Sequence, residues 1–189
     1  MLPIEQLLSE HAEIIEKRLD ALTSASDSDY PALFSSVRYS LLSGGKRIRP
    51  FLTLAFSELF DGDETIALEL GCALEMIHTY SLIHDDLPCM DDDDLRRGKA
   101  TNHIVYGEAT AVLAGDALLT EAFTVASAPS IPAEIAAPAI RLLAHAAGCF
   151  GMIGGPDKKV AAKDVIEVIE GLEDHIRDLT NMVPKWISV

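Results

Sequence analysis

The feature that most restricts this chain is residues 66–83, IALELGCALEMIHTYSLI, where Glu69 and Glu75 are the only formal charges. Helix formers dominate the segment, and its apolar residues fall on every side of a helix rather than on one stripe. A helix with no polar face must be enclosed by others. The remaining segments supply candidates. Leu7, Ile14, Ile15, Leu19 and Leu22 trace an amphipathic helix that should stop in TSASDSD, where short polar side chains compete for backbone hydrogen bonds. Pro31 should open a second helix, and Pro50 should occupy the first turn of a third that ends at DGDE. EATAVLAGDALLTEAFTVASA and AEIAAPAIRLLAHAAGCFGMIGG read as two small-residue helices, the latter disturbed by Pro138. Nothing reads as a strand, so the predicted fold class is all-α, one domain over residues 1–189.

Val165, Ile169, Leu172, Ile176 and Leu179 form a narrow heptad seam on a predicted C-terminal helix at about 160–182. Glu170, Asp174 and Asp178 recur every four residues, and this carboxylate stripe and His175 read as a solvated face.

The enclosed helix runs straight into DDLPCMDDDDLRRGK, six carboxylates in ten residues followed by Arg96, Arg97 and Lys99. Carboxylates within about 4–6 Å raise one another's pKa unless something neutralises them. A divalent cation does so economically, and an all-carboxylate set favours a hard one. Mg²⁺ binds through one or two carboxylates together with substrate phosphates. On a regular helix at about 100° per residue, Asp85 and Asp91 would point some 120° apart. Pro88 between them should break the ladder and allow Asp91 to return beside Asp85. His78 lies two turns back on the face of Asp85. The competing reading leaves Asp91 to Asp94 as a solvated loop.

A second cluster, GGKRIRP, offers Lys46, Arg47 and Arg49, with Lys46 and Arg49 sharing a face if the turn is helical. Arg96 and Arg97 present planar forks suited to phosphate oxygens. Counting Arg38 and Lys99, seven of the 15 basic residues lie near the glycine hinges or the acids. Structural salt bridging between the clusters is the alternative.

The formal net charge of −15 and pI near 4.6 argue against nucleic acid or an anionic membrane surface as a partner, so a phosphate ligand must be met by local cations or a metal. No uncharged apolar run reaches the roughly 18–20 residues of a membrane span, and the N-terminus lacks a basic leader; the expectation is a soluble protein, not an integral membrane one. Cys72, Cys89 and Cys149 suggest neither a disulfide framework nor a zinc site, which suits a cytoplasmic location.

GGKRIRP, EMIHTYSLIHDDLPCMDDDDLRRGKATNH and LAGDALL, in this order, resemble the trans-prenyltransferases, the polyprenyl synthase family of farnesyl and geranylgeranyl diphosphate synthases, over about residues 30–155. The resemblance implies an isoprenoid-synthase-type helical bundle around a central cavity. It implies a Mg²⁺-dependent condensation of isopentenyl diphosphate with an allylic diphosphate, dimethylallyl or geranyl, in a protein that is a homodimer. Carried over by motif, Lys46, Arg49, His78 and Arg97 would hold isopentenyl diphosphate and Arg96 the allylic diphosphate. Asp85 and Asp91 would ligate Mg²⁺ with Asp86 in support. Tyr80, five residues before Asp85, would either limit product length, favouring farnesyl diphosphate, or serve as a core tyrosine.

After Gly155 the sequence departs from the family pattern: PDKKVAAKDVIEV stands where Gln and an Asp-containing helix are expected, and no second DDxxD follows. The C-terminal half is expected to be shortened or replaced. Three readings follow: a prenyltransferase, completed by dimer complementation or represented by a fragment; a non-catalytic or regulatory diphosphate-binding homologue; and a helical interaction module, which the intact first motif and both cation clusters oppose.

Overall fold

The computed structural model describes residues 4–24 and 30–154. The heptad seam, the carboxylate stripe and His175 lie outside the described residues. In order, the elements are α1 (Ile4–Leu22), α2 (Pro31–Leu41), α3 (Ile48–Leu59), α4 (Glu64–Asp85), β1 (Leu95–Arg96), β2 (Lys99–Ala100), α5 (Asn102–Tyr106), α6 (Glu108–Ala126) and α7 (Ala133–Ala147). The fold is all-α apart from a two-stranded antiparallel hairpin, which corrects the expectation of no strand. Two residues per strand are too few to leave a period-2 signature.

Local chemistry sets the helix boundaries. At the end of α1, Thr23 Oγ1 donates to the Leu19 carbonyl (2.8 Å) and Ser24 Oγ to that of Asp20 (2.7 Å). The hydroxyls thereby add a second donor to carbonyls of the last turn, which also accept from the Thr23 amide and from Arg38 Nη1. Pro31 opens α2 at N1. After α3 the chain reverses over residues 60–63, and Asp63 caps α4 by accepting from the Thr65 and Ile66 amides at 2.8 and 3.1 Å.

α4 is the enclosed helix that the sequence demands, packed chiefly against α6 and α3, with α1 and α2 adding contacts. Cys72, Ala73 and Met76 are wholly buried, as are Ile15 and Leu19 of α1 and Ala111, Ala114 and Ala122 of α6. Burial pushes the Cys72 thiol up to about 12. Small residues let the helices approach closely: a Cβ on Gly71 would stand 3.0 Å from Pro50 Cβ of α3 and 3.1 Å from its Cα. α3 and α4 therefore run antiparallel in contact.

No uncharged run reaches a membrane span, but when up to two charges are admitted α4 and α6 are each long and apolar enough, by length and composition, to cross a membrane. Few charges are diluted along each helix. In this fold 61% of the α4 window is buried, as enclosure by neighbours requires, and 39% of the α6 window.

The chain divides into two units, Met1–Ile140 and Arg141–Val189, with the break inside α7. The elements from α1 to α6 and the start of α7 belong to the first unit. In the second, the end of α7 leads into turns closed by Gly148 and Gly151, where the Met152 amide donates to the Ala146 carbonyl (2.8 Å) and His145 stacks on Phe150.

Candidate active site

The acidic wall begins where α4 ends. Asp85 is its last residue and Asp86 its C-cap, so the helix stops before Pro88. The chain then folds back on the helix end. The Asp91 amide donates to the Asp85 carbonyl (2.8 Å), the Met90 amide to that of Leu87 (2.8 Å) and the Asp93 amide to that of Asp86 (3.2 Å). This brings the Asp91 carboxylate close enough to act on Asp85. Burial first, and then Asp91 and Asp86, raise the Asp85 pKa, while Arg96 and His84 oppose the rise. Asp85 is half-buried, whereas Asp91, Asp92, Asp93 and Asp94 are exposed.

Asp86 has a different fate. It is buried at 3% exposure and accepts from Arg96 Nε at 2.8 and 2.9 Å and from Arg96 Nη2 at 2.5 Å. This bidentate pair occupies the carboxylate and turns it into the seat of Arg96.

The hairpin carries the cations. Leu95 pairs with Ala100 and Arg96 with Lys99, and Arg97 (φ 53°) and Gly98 (φ 78°) make the turn with left-handed backbone. Arg97 Nη1 donates to the Gly44 carbonyl at 2.6 Å. Gly45 sits at φ 141°, where any side chain strains the backbone, and a Cβ there would also lie 2.5 Å from that same nitrogen and displace it. The RRGK turn is thereby tied to the GGKR loop.

The condition for Lys46 and Arg49 to share a helical face is not met: Arg47 adopts φ 47° and α3 begins only at Ile48. The two side chains nonetheless line one cleft of about 410 Å³ with His78 and Arg97. An adjoining cavity is lined by Arg96, Arg97, Asp86, Lys99, Tyr39 and Thr101 among others, and shares Arg47, Glu75, His78 and Arg97 with the cleft. The half-buried His78 thus lies where the two meet. Burial lowers its pKa, as do the charges of Arg49, Arg97 and Arg96, against Glu75. Arg38 takes no part; it is bonded to Asp20 and the Asp20 carbonyl. Asp85 and Asp91 line neither cavity.

Four positioning side chains escape a motif-based reading. Tyr39 Oη donates to the Ala100 carbonyl at 2.8 Å, and Thr101 Oγ1 to that of Asp93 at 2.8 Å. Asn102 accepts from Ser36 Oγ (2.7 Å) and donates to the Ser36 carbonyl (2.9 Å) and Ser40 Oγ (2.8 Å). Together they moor the hairpin and acidic loop to α2. The fourth is Glu75, bonded to Arg47 at 2.8 Å. The available signals were a Ser pair four apart on α2 and carboxylates inside an otherwise apolar helix.

A hard dication fits this donor set. Asp85 and Asp91 sit in each other's field, Asp91 is open to solvent, and no group of three or more metal-ligating side chains converges among the described residues. Mg²⁺ in general binds through one or two carboxylates, with waters and substrate phosphates completing its shell.

Comparison with known proteins agrees with the fold. The chain is 47% identical over 173 residues to farnesyl diphosphate synthase of Bacillus subtilis, covering 90% of this chain and 58% of that protein. It is 49% identical over 150 residues to geranylgeranyl diphosphate synthase of Cyanophora paradoxa, covering 78% and 49%. Among solved structures, an apo FPP/GFPP synthase from Zymomonas mobilis matches with a TM-score of 0.77 at 41% identity, covering 84% of this chain and 58% of that one. The chain thus spans about half to three fifths of the length of these relatives. The Bacillus subtilis alignment is longer than residues 30–155, so likeness extends beyond the segment expected to carry it. The family model described as Polyprenyl synthetase matches residues 30–148, and the chain belongs to that family.

Proposed function

We propose that this chain carries the diphosphate-binding wall of a trans-prenyltransferase that joins isopentenyl diphosphate to an allylic diphosphate, dimethylallyl or geranyl. The observation that supports it best is electrostatic: three guanidinium groups act on one half-buried imidazole, His78, and one of them, Arg96, also acts on Asp85 of the mutually repelling carboxylate pair two turns further along α4. A site so divided suits a polyanion and a dication together.

In this reading Lys46, Arg49, His78 and Arg97 hold the diphosphate of isopentenyl diphosphate in the cleft they line. Arg96, seated on buried Asp86, faces the allylic diphosphate with its orientation already fixed, so little reorganisation accompanies charge development there. Asp85 and Asp91 are the residues that would hold Mg²⁺. When bound, the metal neutralises charge on the departing diphosphate. His78, its pKa lowered, is largely neutral at pH 7 and contributes a hydrogen bond without an additional positive charge. The allylic C–O bond breaks, the isopentenyl alkene attacks the carbocation and a proton is lost.

Tyr80 is buried with its ring edge-on to His84 (centroids 5.6 Å apart) and lines neither cavity; in this reading its bulk, five residues before Asp85, favours a short, farnesyl-sized product. The names of the relatives divide between farnesyl and geranylgeranyl products, and product analysis decides between them. A homodimer in the cytoplasm completes the proposal.

The test incubates the chain with isopentenyl diphosphate, geranyl diphosphate and Mg²⁺, and resolves products by chromatography. Prenyl product that disappears with Asp85→Ala supports the proposal. Absence of product from wild-type protein that still takes up diphosphate in the presence of Mg²⁺ removes the catalytic part.

A further inference from the structure

Arg47 is the cation of the GGKR loop that does not behave like its neighbours. Lys46 and Arg49 are exposed, whereas the Arg47 side chain is 3% exposed. Its fork reaches three elements at once. Nη1 donates to Glu75 Oε1 of α4 at 2.8 Å, and Nη2 donates to the Leu41 carbonyl at the end of α2 (2.7 Å) and to Glu16 Oε1 of α1 (3.3 Å). Glu75 is itself buried, at 6% side-chain exposure.

The backbone explains why such an anchor is useful. Gly44, Gly45 and Arg47 all have positive φ, at 83°, 141° and 47°, so the loop cannot continue α2 or begin α3 early. Two of those positions are glycines with no side chain to hold. Arg47 is the one residue there whose side chain can fix the path, and it is also the N-cap of α3, which carries Arg49 one residue into the helix. An arginine in the left-handed region is disfavoured, and its Nε is buried without a partner. Three acceptors from three elements offset both penalties.

We infer that Arg47 is a positioning residue, not a diphosphate ligand: pinned by Glu75, Glu16 and the Leu41 carbonyl, it sets the loop so that Lys46 and Arg49 face the anion cleft. To meet an anion, Arg47 would have to leave Glu75 as a buried carboxylate without its cation, which is strongly unfavourable. A lysine keeps the charge but cannot reproduce a planar fork with several fixed donors. The inference rests on reading the cleft as a diphosphate site.

The experiment titrates inorganic diphosphate into wild-type protein, Arg47→Lys, Arg47→Met and the charge-balanced pair Arg47→Met/Glu75→Met, at constant ionic strength by calorimetry. Amide exchange over residues 43–48 is followed in the same four proteins. Arg47→Lys and Arg47→Met are expected to lose affinity alike, about tenfold, the usual scale for supporting residues behind a ligand, with faster exchange across the loop. The paired variant is expected to regain stability to denaturant but not affinity. Wild-type affinity in Arg47→Lys with loss only in Arg47→Met overturns the inference, because charge alone then suffices. Recovery of affinity in the paired variant also overturns it, by reducing Arg47 to a stability role. If wild-type protein takes up no diphosphate, the reading of the cleft fails, and exchange alone decides the anchor: faster exchange in Arg47→Lys upholds it and unchanged rates overturn it.

Discussion

Gly115→Ala is a stringent test of the packing behind the acidic wall. Gly115 is buried on α6, and an added Cβ would lie 2.2 Å from Nε2, 2.4 Å from Cδ2 and 3.0 Å from Cε1 of His84. The whole ring must therefore retreat. His84 now bonds the Val112 carbonyl at 3.0 Å and meets Tyr80 edge-on. In a helix interior, alanine is favoured over glycine by about 0.5–1 kcal/mol. Against that stand the lost hydrogen bond, about 0.5–1.5 kcal/mol, and overpacking, about 1–3 kcal/mol. The His84 side chain is 26% exposed and has an outward route, so the smaller overpacking value applies. The expected net destabilisation is about 0.5–2 kcal/mol, read from urea denaturation with unchanged slope. The same substitution in a His84→Ala background should become stabilising by about 0.5–1 kcal/mol, because only the helix preference remains. A stabilising Gly115→Ala in the wild-type background, or an equal effect in both backgrounds, would refute the argument.

Asp85→Asn should stabilise the protein at neutral pH. The folded-state pKa of Asp85 is raised, so its ionised form costs stability as pH rises from the ordinary carboxylate range through that raised value; the gain should vanish in acid, as denaturation at stepped pH will show. His78 is shifted the other way. The native state binds fewer protons, so stability should rise with pH up to the ordinary histidine range, an increment absent from His78→Gln; the imidazole should titrate below 6.5 by NMR, and inorganic diphosphate should move it upward. Asn102→Ala removes three bonds to Ser36 and Ser40 and should cost about 2–4 kcal/mol in urea denaturation. It should also loosen the hairpin, seen as faster amide exchange at residues 95–100.

The helices were legible because their signals are local. Proline at the start of α2, the DGDE stop after α3 and the apolar surround of residues 66–83 each act within a few residues of themselves. The joining of GGKR to RRGK was not legible, because it depends on a hydrogen bond between residues 53 apart in sequence and on left-handed backbone at Arg47 and Arg97. The chain displays seven cations near the hinges and acids, yet nothing in their spacing tells which are already matched. Arg47 and Arg38 are committed to internal acceptors and Arg96 is held by Asp86, whereas Lys46 and Arg49 remain exposed. Asp86 shows the same limit from the other side: grouped with metal-binding acids by its motif, it is buried under a guanidinium.

The antiparallel contact of α3 and α4 has a consequence for the field at this end of the molecule. Backbone dipoles give a helix a partial positive charge at its start and a partial negative charge at its end. α3 starts beside Lys46 and Arg49, with no side chain capping its first amides, and α4 ends at Asp85. Because Gly71 packs on Pro50, α4 runs on about 18 Å past the start of α3, so the two opposite poles open toward the same end but stepped along α4, the positive one among the cations and the negative one farther out among the carboxylates. The backbone alone, before any side chain is considered, already sorts this surface into a half that attracts anions and a half that attracts cations.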